Sequence, residues 1–209
     1  TLGFFKKHGM ESVGYWMPVD RPNTLVYMLK HKDRDAAQAS WKSFSADQDW
    51  KKIAKASNRG GRLLAKAPDS LFMTATDYSP KYSEQLDSED AVFELRTYTT
   101  NADKLDNLNA RFQDHTMRLF AKHGMESVSY WIPTDEPTSE TTLIYILKHK
   151  TRDAAQASWK AFLADTEWQK VASESQKEGR ILARKPDSVF MSATDYSLKL
   201  WSNRQTAQP

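Results

Sequence analysis

From Val92 to Thr99 apolar and polar side chains alternate, with Phe93, Leu95 and Thr97 on one side and Glu94, Arg96 and Tyr98 on the other. A two-residue period of this kind predicts a strand with two distinct faces. The period then lengthens. Leu105, Leu108, Phe112, His115 and Leu119 recur three or four residues apart as far as Gly124, which predicts a long amphipathic helix with a glycine stop, and Asn101 is placed to cap its start. Lys122 and His123 fall in the last turn, where cationic or donor-bearing side chains complement free carbonyls. Two runs rich in β-formers follow, Met125 to Ile132 and Thr142 to Lys148, joined by a polar connection. From Asp153 the pattern is helical again, with Ala155, Trp159, Phe162 and Leu163 on one side, and Asp165 begins a second part of a kinked helix that runs to Gly179. Pro186 ends the next connection, and Ser188 to Asp195 predicts a last strand. The order β-α-β-β-α-β is the split βαβ arrangement of a ferredoxin-like unit, an α+β fold.

The same pattern has already occurred once. His8 to Val13 reads HGMESV, as does His123 to Val128, and each is followed by Tyr-Trp-x-Pro-x-Asp-x-Pro. With a three-residue length difference after Pro22 and Pro137, the copies run in register to Ser79 and Ser197, and about two-thirds of paired positions are identical. The first copy is expected to hold strands at Met10–Met17, Thr24–Lys30 and Ser70–Asp77 and a helix from Asp35 to Gly60. The expected organisation is a first repeat over residues 1–79, a polar linker at 80–91, a second repeat over 92–201 and a frayed tail at 202–209. Thr1 aligns with Thr116, so about two dozen residues, Val92 to His115, have no counterpart in the first repeat, which lacks its first strand and most of its first helix. The expectation is a longer natural protein, with a Glu-x-Arg-x-Tyr strand and a histidine ahead of Thr1; an export signal before them stays open, as does a cytoplasmic location.

Composition narrows the function classes. The chain of 209 residues is 39% hydrophobic and 11% aromatic, enough for two modest cores. Its 30 basic and 27 acidic residues are interspersed, and a net charge of +3 argues against a nucleic-acid partner. With no cysteine there are no disulfides or thiolate sites, and no apolar run is long enough for a transmembrane helix. The five histidines have no zinc-site spacing, no Gly-x-Ser-x-Gly turn occurs, and the seven glycines form no phosphate loop. No cofactor is indicated.

Phe93-Glu94-Leu95-Arg96-Thr97-Tyr98, the Phe112-x-x-His115-Thr116 step, the run from Lys122-His123-Gly124 to Tyr130-Trp131 and the Asp165-x-x-Trp168 step together resemble the NIPSNAP family. The resemblance covers nearly all of both repeats. It implies a dimeric α/β-barrel in which two ferredoxin-like units set their sheets against each other, here built within one chain. It implies no settled activity. Related barrels include monooxygenases, which makes a monooxygenase-like enzyme an alternative by analogy alone.

Candidate residues follow from the faces. His115 lies on the predicted apolar stripe, as a bonded core histidine or a catalytic one. Glu94, Arg96 and Tyr98 share a strand face; lining the barrel, Glu94 and Arg96 would form a structural ion pair across the pseudo-twofold or an anion-binding or acid/base site. Tyr15-Trp16 and Tyr130-Trp131 put aromatics on opposite faces of one strand, whereas Trp41 and Trp159 read as core. His8 and His123 read as helix caps, and His31 and His149, among lysines, as exposed strand ends. The expected function is binding of a small planar or apolar ligand between sheet and helices, by Glu94, Arg96, Tyr98, His115, Tyr130, Trp131, Tyr145, Trp16 and Tyr27. The alternative is a protein-interaction scaffold with a protein partner or self-association.

Overall fold

In a computed structural model the structure describes residues 1–84, 91–197 and 200–202. The first repeat contains α1 (Leu2–Lys7), β1 (Glu11–Pro18), β2 (Val26–Lys30), α2 (Arg34–Ala46), α3 (Gln48–Ser57) and β3 (Met73–Ala75). After β4 (Tyr82–Glu84), the second opens with β5 (Val92–Thr99), α4 (Leu105–Arg111), a π-helical turn (Phe112–Thr116) and α5 (Met117–Lys122). It continues with β6 (Glu126–Pro133), α6 (Thr138–Thr141), β7 (Thr142–His149), α7 (Arg152–Ala164), α8 (Thr166–Glu174), β8 (Asp187–Ala193) and β9 (Leu200–Ser202).

Local chemistry explains the element ends. Asp33 and Thr151 accept the backbone N–H of Ala36 and Ala154 at 2.7 and 3.0 Å and start α2 and α7. Asp47 and Asp165 cap α3 and α8, making the predicted kink, and Trp50 and Trp168 pack back on Phe44 and Phe162 at 4.6 and 4.4 Å. Gly9 and Gly124 follow α1 and α5 at φ 75° and 74°, a conformation that costs glycine little. Asn101 does not cap α4. Its backbone N–H and side-chain amide instead bond Ile181 O and Arg180 O, tying the end of β5 to the segment before β8, and Lys104 stands at the helix start.

The sheets do not stay separate. Seven strands form one antiparallel sheet in the order β2-β1-β8-β5-β7-β6-β3. Within it β8-β5-β7-β6 is a complete ferredoxin-like order, and each repeat's last strand reaches the other repeat: β8 pairs with β1, and β3 with β6. This edge-to-edge joining replaces the expected face-to-face contact of two sheets and uses backbone donors that would otherwise be orphaned. All seven strands contribute to one apolar cluster that includes Val13, Trp16, Phe93, Val128, Trp131 and Met191, so the sheet curls around it as an incomplete barrel. The fold is α+β, two ferredoxin-like repeats forming the barrel within one chain, with the first strand and most of the first helix absent from the first repeat. Helices cover the outer face, over a core of Leu108, Phe112, Phe120, Tyr145 and Phe162 in the second half and of Phe5, Tyr15 and Phe44 in the first.

Part of the expected linker is paired. Tyr82–Glu84 forms a two-stranded ladder with Leu200–Ser202, at equivalent places after the two repeats. Residues 85–90 of the linker and 203–209 of the tail lie outside the described residues.

Candidate functional site

Strand β5 is central to the sheet, between β7 and β8, and its alternation sends Phe93 and Leu95 into the barrel and Glu94, Arg96 and Tyr98 toward the helices. The polar trio therefore does not line the barrel. Glu94 is 1% exposed, and its Oε1 accepts hydrogen bonds from Arg96 Nη1 at 2.9 Å and the Ser188 hydroxyl at 2.6 Å. Its Oε2 accepts from Trp159 Nε1 at 2.7 Å and lies 3.0 Å from His149 Nε2. Burial alone would favour the neutral acid. The bonds from His149 and Ser188, the Arg96 charge and the Trp159 bond outweigh it and hold the Glu94 carboxyl down at about 2. The Glu94–Arg96 ion pair runs along one strand and not across the pseudo-twofold.

Arg96 continues the cluster. Burial works against its charge, but the nearby oxygens of Tyr145 and Tyr98, and Glu94, raise its pKa further. Its guanidinium stacks over Trp159 at 4.5 Å, and Nη2 donates to the Tyr98 hydroxyl at 3.3 Å. Tyr145 is fully buried between Tyr98, Phe112 and Tyr130, at ring distances of 5.3, 5.2 and 5.3 Å, and its hydroxyl lacks a well-directed hydrogen bond. Burial raises the Tyr145 and Tyr130 pKa values, and the Tyr130 hydroxyl is shared with Ser127 at 2.6 Å.

Arg111, at the end of α4, is the second guanidinium of this layer. It is 6% exposed, donates through Nη1 to the Ser175 hydroxyl at 3.3 Å and lies over the Trp168 ring at 5.3 Å. Its Nε is buried without a partner, and no carboxylate pairs with it among the described residues. Burial lowers its pKa, a loss that the Tyr98 and Tyr145 oxygens oppose. It stands at the head of an outer groove of about 460 Å³ between α4 and α8, whose walls include Asn107, Asp114, His115, Glu167, Lys170 and Glu174.

Of the sequence candidates, Glu94, Arg96, Tyr98, Tyr130 and Tyr145 come together in this sheet–helix layer. Trp16 and Trp131 do not; they lie on the other face of the sheet, in the barrel interior. Tyr27 belongs to the other half, stacked on Tyr15 at 5.8 Å. His115 is exposed, not on the apolar stripe. The π-helical turn holds one more residue per turn than an α-helix, so after Phe112 the inward position passes to Thr116, which is buried and bonds Arg111 O at 3.0 Å. His149 is buried and not an exposed strand end, Trp159 is half-buried and polar in role, and Leu163 is 58% exposed. His8 and His123 reach the Asp47 and Asp165 carboxylates at 2.8 and 2.7 Å instead of helix carbonyls. Sequence reasoning missed His149, Ser188 and Arg111. A signal existed for His149, two residues beyond Leu147 on the face of Leu143 and Tyr145. Among the described residues no group of His, Asp or Glu forms a metal cluster, and no helix is long and apolar enough to cross a membrane.

Similarity to solved structures agrees with this architecture. The putative monooxygenases of Lactobacillus acidophilus NCFM and Fusobacterium nucleatum are similar at TM-scores of 0.56 and 0.52, with 10% and 11% identity. They cover 96% and 93% of this chain and 87% and 79% of their own. An uncharacterized NIPSNAP-like domain protein from Burkholderia xenovorans matches 58% of this chain over 100% of its own, at 14% identity and a TM-score of 0.48. No curated protein matches the sequence at a significant level. A family profile described as NIPSNAP matches residues 2–80 and again 93–198, once over each repeat, and on that match the chain belongs to the NIPSNAP family.

Proposed function

We propose that this protein is a ligand-binding barrel whose second half takes a small planar molecule carrying a carboxylate, held in the groove between α4 and α8 with Arg111 as anchor. The observation behind this reading is Arg111 itself, a guanidinium 6% exposed, with an unbonded Nε and no acidic partner among the described residues. Burying an unpaired charge is costly, and a carboxylate meets the planar fork of arginine with two parallel hydrogen bonds. The surroundings supply no internal substitute, because the Glu94 carboxylate is taken up by Arg96, Ser188, Trp159 and His149. Two guanidiniums then face one carboxylate in this layer. The rim carries Asp114, Glu167 and Glu174 beside Lys170 and His115, a mixture that disfavours polyanions and suits a single carboxylate. Trp168 under Arg111 backs the guanidinium and holds its plane. The monooxygenase-like alternative rests on fold likeness, which does not carry chemistry.

Titration with naphthoate and with naphthamide, followed by tryptophan fluorescence and calorimetry, tests the reading. Naphthoate is expected to bind saturably and the amide about tenfold more weakly or less, with Arg111→Gln erasing the difference. Equal binding of acid and amide, or none by either, would overturn it and favour the interaction scaffold.

A further inference from the structure

The helix that carries Arg111 borders two cavities of opposite chemistry. Ala110 of α4 lines both. On one side is the groove at Arg111, with Lys170 and His115 in its wall, and on the other a cavity of about 390 Å³ whose lining holds no cationic side chain among the described residues. That volume is within the range of small-molecule sites and far more than a bare ion fills. The second cavity lies where the two repeats meet: Thr76, Asp77 and Tyr78, just after β3, form one wall, and Asp106, Asn109 and Gln113, on α4 and the π turn, form the other.

The walls are tied to each other. The Tyr78 hydroxyl donates to Asn109 Oδ1 at 2.7 Å, Thr76 N donates to Tyr130 O at 3.0 Å, and Ser79 Oγ accepts from Tyr130 N at 2.9 Å. Bonds between the repeats thus set the width of the cavity before any ligand enters, which lowers the ordering cost of binding. Its inner side is apolar, since Ile132 and Tyr78 both pack on the core of the second half.

The polar atoms around this opening are largely unused acceptors. Asp77 and Asp106 stand on different walls, and neither carboxylate makes a hydrogen bond or ion pair among the described residues. The Gln113 amide is equally without a bond there. Thr76 adds a contrast between the copies. Its counterpart Thr194 uses its hydroxyl on Tyr15 O at 3.3 Å, whereas Thr76 Oγ1 is buried without a well-directed hydrogen bond. A small concave site lined by one sign of charge over an apolar surface concentrates ligands of the other sign.

We propose that this cavity between the repeats binds an organic cation, an amine or guanidine on a compact apolar body, with its N–H groups on Asp77 and Asp106 and its apolar part on Ile132 and the Tyr78 ring. An ammonium brings three donors and a guanidinium five, with no acceptor, which suits a site rich in free oxygens. Hydrogen bonds in which both partners are charged are the stronger kind, so the carboxylates select the cation over a neutral molecule of the same shape. A metal ion is the poorer occupant, because no three His, Asp or Glu side chains come together among the described residues. The same lining repels a carboxylate, so the inference is independent of the ligand proposed for the groove at Arg111.

Calorimetric titration of the 209-residue chain with benzylammonium and with benzyl alcohol, which are alike in shape and differ in charge, tests it. Benzylammonium is expected to bind saturably and about tenfold or more tightly than the alcohol at physiological salt. Asp77→Asn and Asp106→Asn, both at exposed positions that leave folding untouched, should each cut that preference to about threefold or less, and Arg111→Gln should leave it unchanged. Equal binding of the two compounds, no binding at millimolar concentration, a preference that both aspartate variants retain, or one that Arg111→Gln removes would overturn the inference.

Discussion

Leu25 and Leu143 hold the same place in two copies of one repeat, yet the first is 47% exposed and the second fully buried. Leu63 and Ile181 differ in the same way, at 70% and 0% exposed. Neither contrast comes from the residues, since both pairs are aliphatic. It comes from β5 and the helix after it. Asn101 N bonds Ile181 O and Ala183 N bonds Thr99 O, pinning that segment over the core, and the first half has no equivalent of either bond. One strand and one helix thus decide whether an apolar position has a partner, so burial is a property of the assembled layer and not of the local pattern.

The sharpest way to break this comparison is at Glu94. Glu94→Gln leaves Arg96 half-buried without its acid and turns an acceptor held by several donors into a donor, so about 3–5 kcal/mol should be lost in denaturant melts. A loss below about 1 kcal/mol would mean that the carboxylate network does not separate the halves. The same group predicts a pH dependence. Its folded pKa of about 2 lies below the ordinary 4.5, so the stability it contributes is fully present above pH 4.5 and is lost as pH falls toward 2. Glu94→Gln should flatten that part of the acid-unfolding profile.

Next in size is the leucine pair. Leu143→Ala should cost about 2–5 kcal/mol through lost burial and a cavity, and Leu25→Ala no more than about 0.5 kcal/mol. Equal costs would show that the first half is closed in solution. Hydrogen exchange sharpens the point: amides of β2 should open well before those of β7, which is buried throughout.

How far the sequence carried depended on the range of the interactions. The order of strands and helices, the kink at Asp165 and the pairing of repeats are written in periods and caps, because alternation and side-chain capping act within a few residues. The exchange of β3 and β8 between repeats is not written there, since it joins backbone groups far apart in sequence and any extended edge of suitable length satisfies the same donors. At the site, Glu94, Arg96 and Tyr98 were legible as one face of a strand, but their direction was not: both faces of β5 are covered, one by the barrel and one by helices. His115 was misplaced by a single residue of helical register, which the π turn shifts without a sequence mark. His149 was hidden by flanking lysines, although Lys148 is itself buried.

The smallest expected difference concerns a place where the halves should behave as one. Asp47 accepts from Asp49 N and Trp50 N, and Asp165 from Glu167 N and Trp168 N, and each carboxylate also meets a lysine and a histidine, from the end of α1 in one half and of α5 in the other. The bonds from Lys7 and Lys122 lead a set that holds both carboxyls well below the usual range. Nothing in this junction touches β5 or a position that β5 would cover, since its partners come from α1 with α3 in one half and α5 with α8 in the other. Asp47→Asn and Asp165→Asn should therefore lower the melting midpoint by matching, small amounts at neutral pH, with each difference vanishing in acid where the wild-type carboxyls become protonated. If Asp47→Asn costs distinctly more, the first half relies on its remaining local contacts to make up for the strand it lacks, and the comparison would have to count weakened cooperativity as well as missing partners.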